Sequence, residues 1–292
     1  MTYLAVALAA QTTAAAQAAL RQIAGRADLA ELRLDLMHEF DLPALLAARP
    51  LPVIVTCRPP REGGRWQGNE AARLAVLQQA AALGAEYVDV EWDAAAMLPN
   101  LDRTHTRVIL SRHHFNTMPV DLAQQAAALA QAGADVVKVV GMAHSLTDCA
   151  RALRVLDEAP LPTIAIAMGV YGLPSRVLAF RSPRALLSFA TPDAAAGTAP
   201  GQLTLTTMLE DLRVRALTPQ TTVIGWADGD VRACGAANAR LAAQGLDAVT
   251  IPLLSVGDTD RAQAAASLRL AFVLPAGEAG AVALARWAAT QA

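Results

Sequence analysis

Lysine is all but missing from this chain of 292 residues: its 24 lysines and arginines include one lysine, Lys138. Cysteine is scarce as well. Cys57, Cys149 and Cys234 are odd in number and far apart, which argues against a disulfide framework or a cysteine metal centre and suits a reducing cytosol. Basic runs are absent and the formal net charge is −2, so nothing draws the chain electrostatically to nucleic acid or to a membrane surface. No uncharged apolar run reaches membrane-spanning length. The apolar start, Met1 to Leu20, lacks a basic leader region and is interrupted by Gln11, Thr12 and Thr13, so it reads as a strand and then a helix rather than a signal peptide.

What is present is apolar: 54% of residues are hydrophobic, enough for one large core or two modest ones. Alanine is abundant and arginine nearly replaces lysine, a pattern of genomic base bias. Short β-rich runs alternate with alanine-rich segments of helical period. The expected strands are Tyr3–Ala9, Leu29–Leu34, Val53–Arg58, Tyr87–Glu91, Val108–His113, Val136–Val140, Thr163–Met168 and Leu186–Ala190. Expected helices include Gly68–Leu83, Val120–Ala132 and Leu146–Glu158. Continuously apolar strands separated by helices indicate a buried parallel sheet. Eight such units predict an α/β fold, a closed (β/α)₈ TIM barrel, over residues 1–215.

Reactive side chains gather where these strands end, the face on which barrel active sites lie. Glu31, Arg33 and Asp35 lie near strand two, Arg58 after strand three and Glu91 after four. His113 and His114 end strand five, and Met168 ends strand seven. Polar strand ends meeting solvent explain one or two of these. They do not explain lysine in Val136-Val137-Lys138-Val139-Val140. Its amine points either into the barrel or into the helix layer. Burial and neighbouring arginines disfavour the ammonium form, and a neutral amine can attack a ketone to form an iminium, an electron sink. A lysine snorkelling from a strand end is the plain alternative. Arginine cannot replace an imine-forming lysine, because guanidinium stays protonated. His113 can take and return a proton near neutrality, and Glu62, in the loop Arg61-Glu62-Gly63-Gly64, can hold the imidazole in one tautomer. Arg33, Arg58 and Arg176 can bind an anion through bidentate guanidinium geometry. The glycine-containing loop before Arg176 can also be read as a phosphate cradle.

Taken in order, these stretches resemble type I 3-dehydroquinate dehydratase. They are Glu31-Leu32-Arg33-Leu34-Asp35, Val53–Arg58 with Glu62-Gly63-Gly64, and His113 with Phe115. Ala134-Asp135-Val136-Val137-Lys138, Met168-Gly169 through Ser175-Arg176, and Ala199-Pro200-Gly201-Gln202 complete the series. The resemblance implies that Lys138 forms the imine, His113 moves the proton and Glu62 orients His113. It implies that Arg176 binds the substrate carboxylate, with Gln202 and Thr198 beside it. Glu31, Arg33 and Arg58 would grip hydroxyls, and Met168 and Phe189 would wall the pocket. It implies no metal or dissociable cofactor, a small-molecule substrate (3-dehydroquinate), a cytoplasmic homodimer, and no nucleic-acid or membrane partner. Three positions depart from the family pattern: His114 replaces a common Asp, Thr198 a Ser, and Ala7 a Ser on strand one.

The remaining residues, 219–292, read as a small αβ lobe with Thr218-Pro219 as a boundary. A helix is expected from about Leu203. Strands are expected at Val223–Trp226, Ala248–Leu253 and Leu270–Leu274, with helices at Ala233–Gln244, Thr259–Ser267 and Gly280–Ala289. Thr222-Val223-Ile224-Gly225 and Gly245-Leu246-Asp247-Ala248-Val249 resemble the substrate lobe of shikimate dehydrogenase, to which plant-type dehydratases are fused. The expected Ser-x-Ser stretch falls near Asp228–Gly235, which holds no serine, and the only lysine is already placed. No dinucleotide fingerprint follows a strand. The expectation is a degenerate, non-catalytic lobe that packs on the barrel or forms a subunit interface. The competing expectations are a pseudoenzyme that keeps the pocket without turnover, and another Schiff-base barrel lyase such as an aldolase.

Overall fold

The computed structural model describes every residue except 48, 194–196, 198–200, 255–259 and 292. The chain runs β1 (Tyr3–Leu8), α1 (Thr13–Ile23), β2 (Leu29–Arg33), α2 (Leu42–Ala47), β3 (Val53–Thr56), α3 (Glu70–Ala82) and β4 (Tyr87–Glu91). A 3₁₀ segment, Trp92–Asn100, takes the place of a fourth helix. Next come β5 (Arg107–His114), α4 (Leu122–Gln131), β6 (Val136–Met142), α5 (Leu146–Glu158), β7 (Thr163–Met168), α6 (Leu173–Leu178) and β8 (Leu187–Thr191). All eight expected strands are present within two residues at either end. Helix starts follow side-chain caps: Asn69 accepts from Ala72 N at 2.8 Å before α3, and Ser145 accepts from Asp148 N at 3.2 Å before α5.

Strands β1 to β7 pair in sequence order, all parallel, and β8 pairs with β1 to curl the sheet round. The seam between β7 and β8 closes at its lower end. There Thr163 N donates to Arg184 O and Leu186 N donates to Thr163 O, each at 2.9 Å. The upper end of the free side of β8 takes a two-residue strand, β9 (Leu203–Thr204), which pairs with Ala190 and Thr191. The helix expected from about Leu203 is therefore corrected. A strand pair comes first, followed by a widened π-helical turn at Thr207–Asp211. Hydrogen bonding to the exposed edge of β8 outweighs helical propensity over those two residues.

Strand alternation sorts the core into two shells. Ala5, Ile54, Ile109, Val136, Val140, Ile164 and Phe189 fill the barrel interior. Val137 and Val139 face the helix layer with Leu110, Leu129 and Leu156. Lys138 lies between Val136 and Val140 on the inward face, which settles the direction its sequence leaves open.

A second, three-stranded parallel sheet follows, with β10 (Thr222–Ala227) between β11 (Ala248–Leu253) and β12 (Phe272–Leu274). Helices α7 (Val231–Ala243), α8 (Arg261–Leu268) and α9 (Gly277–Ala289) cover it. Thr259, the expected start of α8, lies outside the described residues. Ion pairs and carbonyl contacts dock this lobe on the barrel. Arg269 pairs with Asp157 at 2.9 Å, and Arg181 donates to Pro219 O at 3.0 Å and Arg269 O at 3.2 Å.

The lobe turns on one buried amide. Asn238 of α7 donates to Asp211 O (2.8 Å) and Thr250 O (3.0 Å), and its oxygen accepts from Thr250 N (2.6 Å) and Thr250 Oγ1 (2.9 Å). It thereby ties α7 to β11 and to the π turn. Asn238→Ala leaves buried backbone groups unpaired at about 1–3 kcal/mol each. The expected loss in chemical denaturation is about 2–4 kcal/mol. A loss below about 0.5 kcal/mol, the range of an ordinary surface change, refutes this role.

Candidate active site

The inward register of β6 brings Lys138 Nζ within 2.8 Å of Asp89 Oδ2 and 3.4 Å of Glu31 Oε1, with Nζ 5.0 Å from the centroid of the Phe189 ring. The setting is thus more acidic than the flanking valines imply. Glu31 is fixed on its other side by Thr56, whose hydroxyl donates to Oε1 at 2.8 Å. Arg58 spans three neighbouring groups: Nη2 meets Asp89 at 2.7 Å, and Nη1 meets Glu91 at 2.7 Å and Ser111 Oγ at 2.8 Å. Ser111 Oγ donates in turn to Asp89 Oδ1 at 2.6 Å, and Arg73 of α3 pairs with Glu91 from the far side. Burial opposes ionisation of Asp89, but the Arg58 guanidinium and the Lys138 ammonium outweigh it and hold the carboxyl well below the usual carboxylate range.

Above this network is a second pair. One oxygen of Glu62, Oε2, accepts from both the backbone N–H of His113 and its Nδ1, each at 2.9 Å. Nδ1 carrying the proton leaves Nε2 as the acceptor, and the ring stacks on Phe115 at 5.9 Å between centroids. Burial pushes the Glu62 carboxyl up to about 7, although Arg58 pulls the other way. Burial lowers the His113 pKa well below its ordinary value, and Arg58 and Lys138 push in the same direction. Two glycines allow this loop. Gly63 has φ +74° and a Cβ there would meet the Phe115 ring at 2.4 Å, while one on Gly64 would meet Arg58 O at 2.0 Å.

His114, the replacement for a common Asp, lies on the opposite side of β5. Its Nε2 is 2.7 Å from Gln125 Oε1 of α4. Alternation along the strand removes it from the pocket, so it does not compete for the proton held by His113.

Every expected site residue except Thr198 lines one cavity of about 80 Å³, bounded also by Phe115, Val140 and Ile166. Thr198 lies outside the described residues, as do Ala199 and Pro200 of its motif. Gln202 reaches the cavity because it immediately precedes β9. Arg33 lines it while its Nε and Nη2 hold Asp35, both at 2.8 Å. Met168 and Phe189 come from β7 and β8, and Arg176 projects from α6. Burial lowers the Arg176 guanidinium to about 10. The expected set omits Asp89, Ser111 and Arg73, and it places Glu91 at the end of its strand without a role. Asp89 was within reach of the same reasoning as Lys138: Tyr87-Val88-Asp89-Val90-Glu91 also puts charge at alternate positions of an apolar strand. Arg73 carries no such signal, since it sits on a helix among many arginines.

Among the described residues no group of three or more His, Cys, Asp or Glu side chains is placed to hold a metal ion. The site's chemistry is that of a buried primary amine, a neutral imidazole fixed by a carboxylate, and guanidinium groups.

The sequence model of the type I 3-dehydroquinase family matches residues 4–219. The chloroplastic bifunctional 3-dehydroquinate dehydratase/shikimate dehydrogenase of Arabidopsis thaliana is 37% identical over 209 residues, covering 68% of this chain and 34% of that protein. The chain thus spans about a third of that relative's length. The 3-dehydroquinate dehydratase of Desulfotalea psychrophila is 35% identical over 193 residues, covering 62% of this chain and 84% of that protein. Among solved structures, the Clostridium difficile type I 3-dehydroquinate dehydratase superposes with a TM-score of 0.64 at 20% identity, over 74% of this chain and 93% of that one. The dehydroquinate dehydratase and shikimate dehydrogenase portion of Schizosaccharomyces pombe AroM superposes at 0.60 and 22% identity, over 89% of this chain and 53% of that one. With a family match over most of its length and the curled eight-unit sheet to carry it, the chain belongs to the type I 3-dehydroquinase family.

Proposed function

We propose that this chain is a hydro-lyase that converts 3-dehydroquinate to 3-dehydroshikimate and water in the shikimate pathway, through an imine on Lys138. The observation that carries the reading is the union of two separate devices in one pocket: an inward amine beside Asp89 and Glu31, and an imidazole fixed by Glu62. In this reading the Lys138 amine attacks the substrate ketone, and loss of water leaves an iminium. His113 Nε2 takes a proton from the neighbouring carbon and the electron pair moves toward the iminium. The hydroxyl one carbon further then departs as water, carrying the proton that His113 returns. A second water hydrolyses the imine and frees Lys138. Arg176 binds the substrate carboxylate, whose arrival offsets the burial that depresses the guanidinium. Gln202 and Thr198 are assigned beside it. Glu31, Arg33 and Arg58 contact hydroxyls, and Met168 and Phe189 wall the pocket. The lysine supplies the electron sink, so the reading needs no dissociable cofactor or metal.

The division into a barrel (residues 1–215) and a lobe (219–292) is part of the same reading. The lobe is assigned no dehydrogenase chemistry, since the only lysine lies in the barrel. We assign the protein to the cytoplasm, where three buried free cysteines are compatible with reducing conditions. On family resemblance we assign it a homodimeric state. A net charge of −2 favours no polyanionic or membrane partner.

Trapping tests the imine. Incubation with 3-dehydroquinate and sodium borohydride should add to the protein the mass of the substrate less one water plus two hydrogens or, where elimination precedes reduction, the substrate less two waters plus two hydrogens, and a peptide map should place it on Lys138. Lys138→Arg should show neither adduct nor enone absorbance. His113→Ala should form the adduct without the enone. An adduct elsewhere, or neither adduct nor enone with the wild-type protein, refutes the reading.

The Glu62 carboxyl gives a pH signature. Its pKa is raised to about 7, so the carboxylate that orients His113 is present above that pH and lost below it. His113, with its pKa lowered, stays neutral through this window. kcat/KM should therefore rise with pH through about 7 and then level off. Glu62→Gln should remove that rise and lower the plateau by about 10²-fold. A rise near pH 7 that survives in Glu62→Gln assigns it to another group.

A further inference from the structure

A cleft larger than the catalytic pocket lies away from the catalytic face. Between the outer helices of the barrel and the C-terminal lobe lies a cavity of about 430 Å³, against about 80 Å³ for the catalytic pocket. Its volume falls in the range of small-molecule sites. Leu153 and Leu156 of α5, Leu178 ending α6 and Leu268 of α8 give it an apolar floor. Its rim carries three guanidinium groups, Arg154, Arg181 and Arg269, against one carboxylate, Asp157.

The single carboxylate is already committed, since Asp157 pairs with Arg269 at 2.9 Å. Arg181 donates only to carbonyl oxygens, those of Pro219 and Arg269, and its Nε is buried without an acceptor among the described residues. Burial lowers its pKa, and Arg269 adds to the effect. Arg154 is exposed on α5 and has no hydrogen bond or ion pair among the described residues. Arg269 itself is held at φ +54°, just after α8, where glycine would sit without strain; Gly245 fills the matching place after α7 at φ +72°. The strained position carries a guanidinium to the rim of the cleft. Arg154 and Arg181 thus stand on the rim with no carboxylate hydrogen-bonded to them among the described residues, although Asp247 acts on Arg181 from nearby, and leucine side chains form part of the floor.

We propose that this cleft binds a small organic carboxylate with an apolar body, its carboxylate held by Arg154 and Arg181 and its body resting on the leucine floor. Guanidinium groups match a planar carboxylate, and the leucines favour a ligand with a carbon skeleton over a bare inorganic anion. The site is separate from the proposed dehydration, because none of the residues assigned to that reaction lines it. The two sites do share α6: Arg176 projects from it into the catalytic pocket, while Leu178 faces the cleft.

Calorimetric titration of the full chain with benzoate, and separately with inorganic phosphate, tests the proposal. Arg181→Gln removes a guanidinium that also braces Pro219 and the lobe, so it risks the fold. Arg154→Gln replaces an exposed, unpaired side chain and leaves the fold intact. Benzoate should bind the wild-type protein, and Arg154→Gln should weaken it about ten-fold with kcat/KM for dehydration unchanged. Equal benzoate affinity in the two proteins, or no benzoate binding up to about 20 mM, overturns the site. Phosphate binding without a benzoate response overturns the carboxylate assignment.

Discussion

An ammonium group inside a β-barrel sets the terms for everything around it. A buried charge is tolerated only when paired and hydrogen-bonded, and removing one partner leaves the other uncompensated at a cost of several kcal/mol. Lys138 is matched by Asp89 and Glu31, and these acids require their own partners. Arg58 serves Asp89 and Glu91, Arg73 serves Glu91 from outside the strand layer, and Thr56 and Ser111 fill the remaining lone pairs. Three cations thus face three carboxylates across β2, β3, β4, β5 and β6. The network also explains why Arg58 is oriented as it is. Its guanidinium is a structural counter-ion first, and it lines the pocket with what remains of its surface.

Identical chemistry takes opposite states within this small volume. Asp89 and Glu62 are both buried carboxyls, yet one is held ionised and the other is pushed toward neutrality near pH 7. The difference is the direct contact of Asp89 with Arg58 and Lys138. Among the described residues Glu62 touches no cation directly and accepts only from the His113 amide and imidazole. Pairs of titratable groups pushed apart by their surroundings are the means by which a site divides acid, base and charge-balancing roles among ordinary side chains. Here the division follows depth. Asp89, in the lower layer, is held ionised, while Glu62, in the upper pair, is the carboxyl whose protonation changes near neutral pH.

The sequence made the fold legible because strand alternation and strand length are local properties. Lys138 could be placed on a strand, and its neighbours' period of two then required Val136 and Val140 to share its face. The pocket residues after β2, β3, β5 and β7 were legible for the same reason, since barrel strand ends converge. Two features were not. β9 exists only because β8 has an unpaired edge at the top of the seam, a tertiary fact with no local signature at Leu203. The committed state of Arg33 and Arg58 was also hidden: an arginine at a strand end reads as an anion receptor until its carboxylate partners, Asp35 on the next turn and Asp89 a strand away, are seen in contact.

The solitary lysine gains its meaning from the charge balance. Arginine would satisfy Asp89 and Glu31 equally well, as Arg58 and Arg73 do for their own acids, so pairing alone cannot explain why lysine is retained here. An amine that becomes an iminium keeps a positive charge where Nζ stood. The buried carboxylates therefore stay balanced in both the resting and the covalent states of the proposed cycle. A barrel interior that stabilises a cation, and not a particular molecule, is thus suited to holding the intermediate as well as the resting enzyme. Lysine is the residue that can supply both.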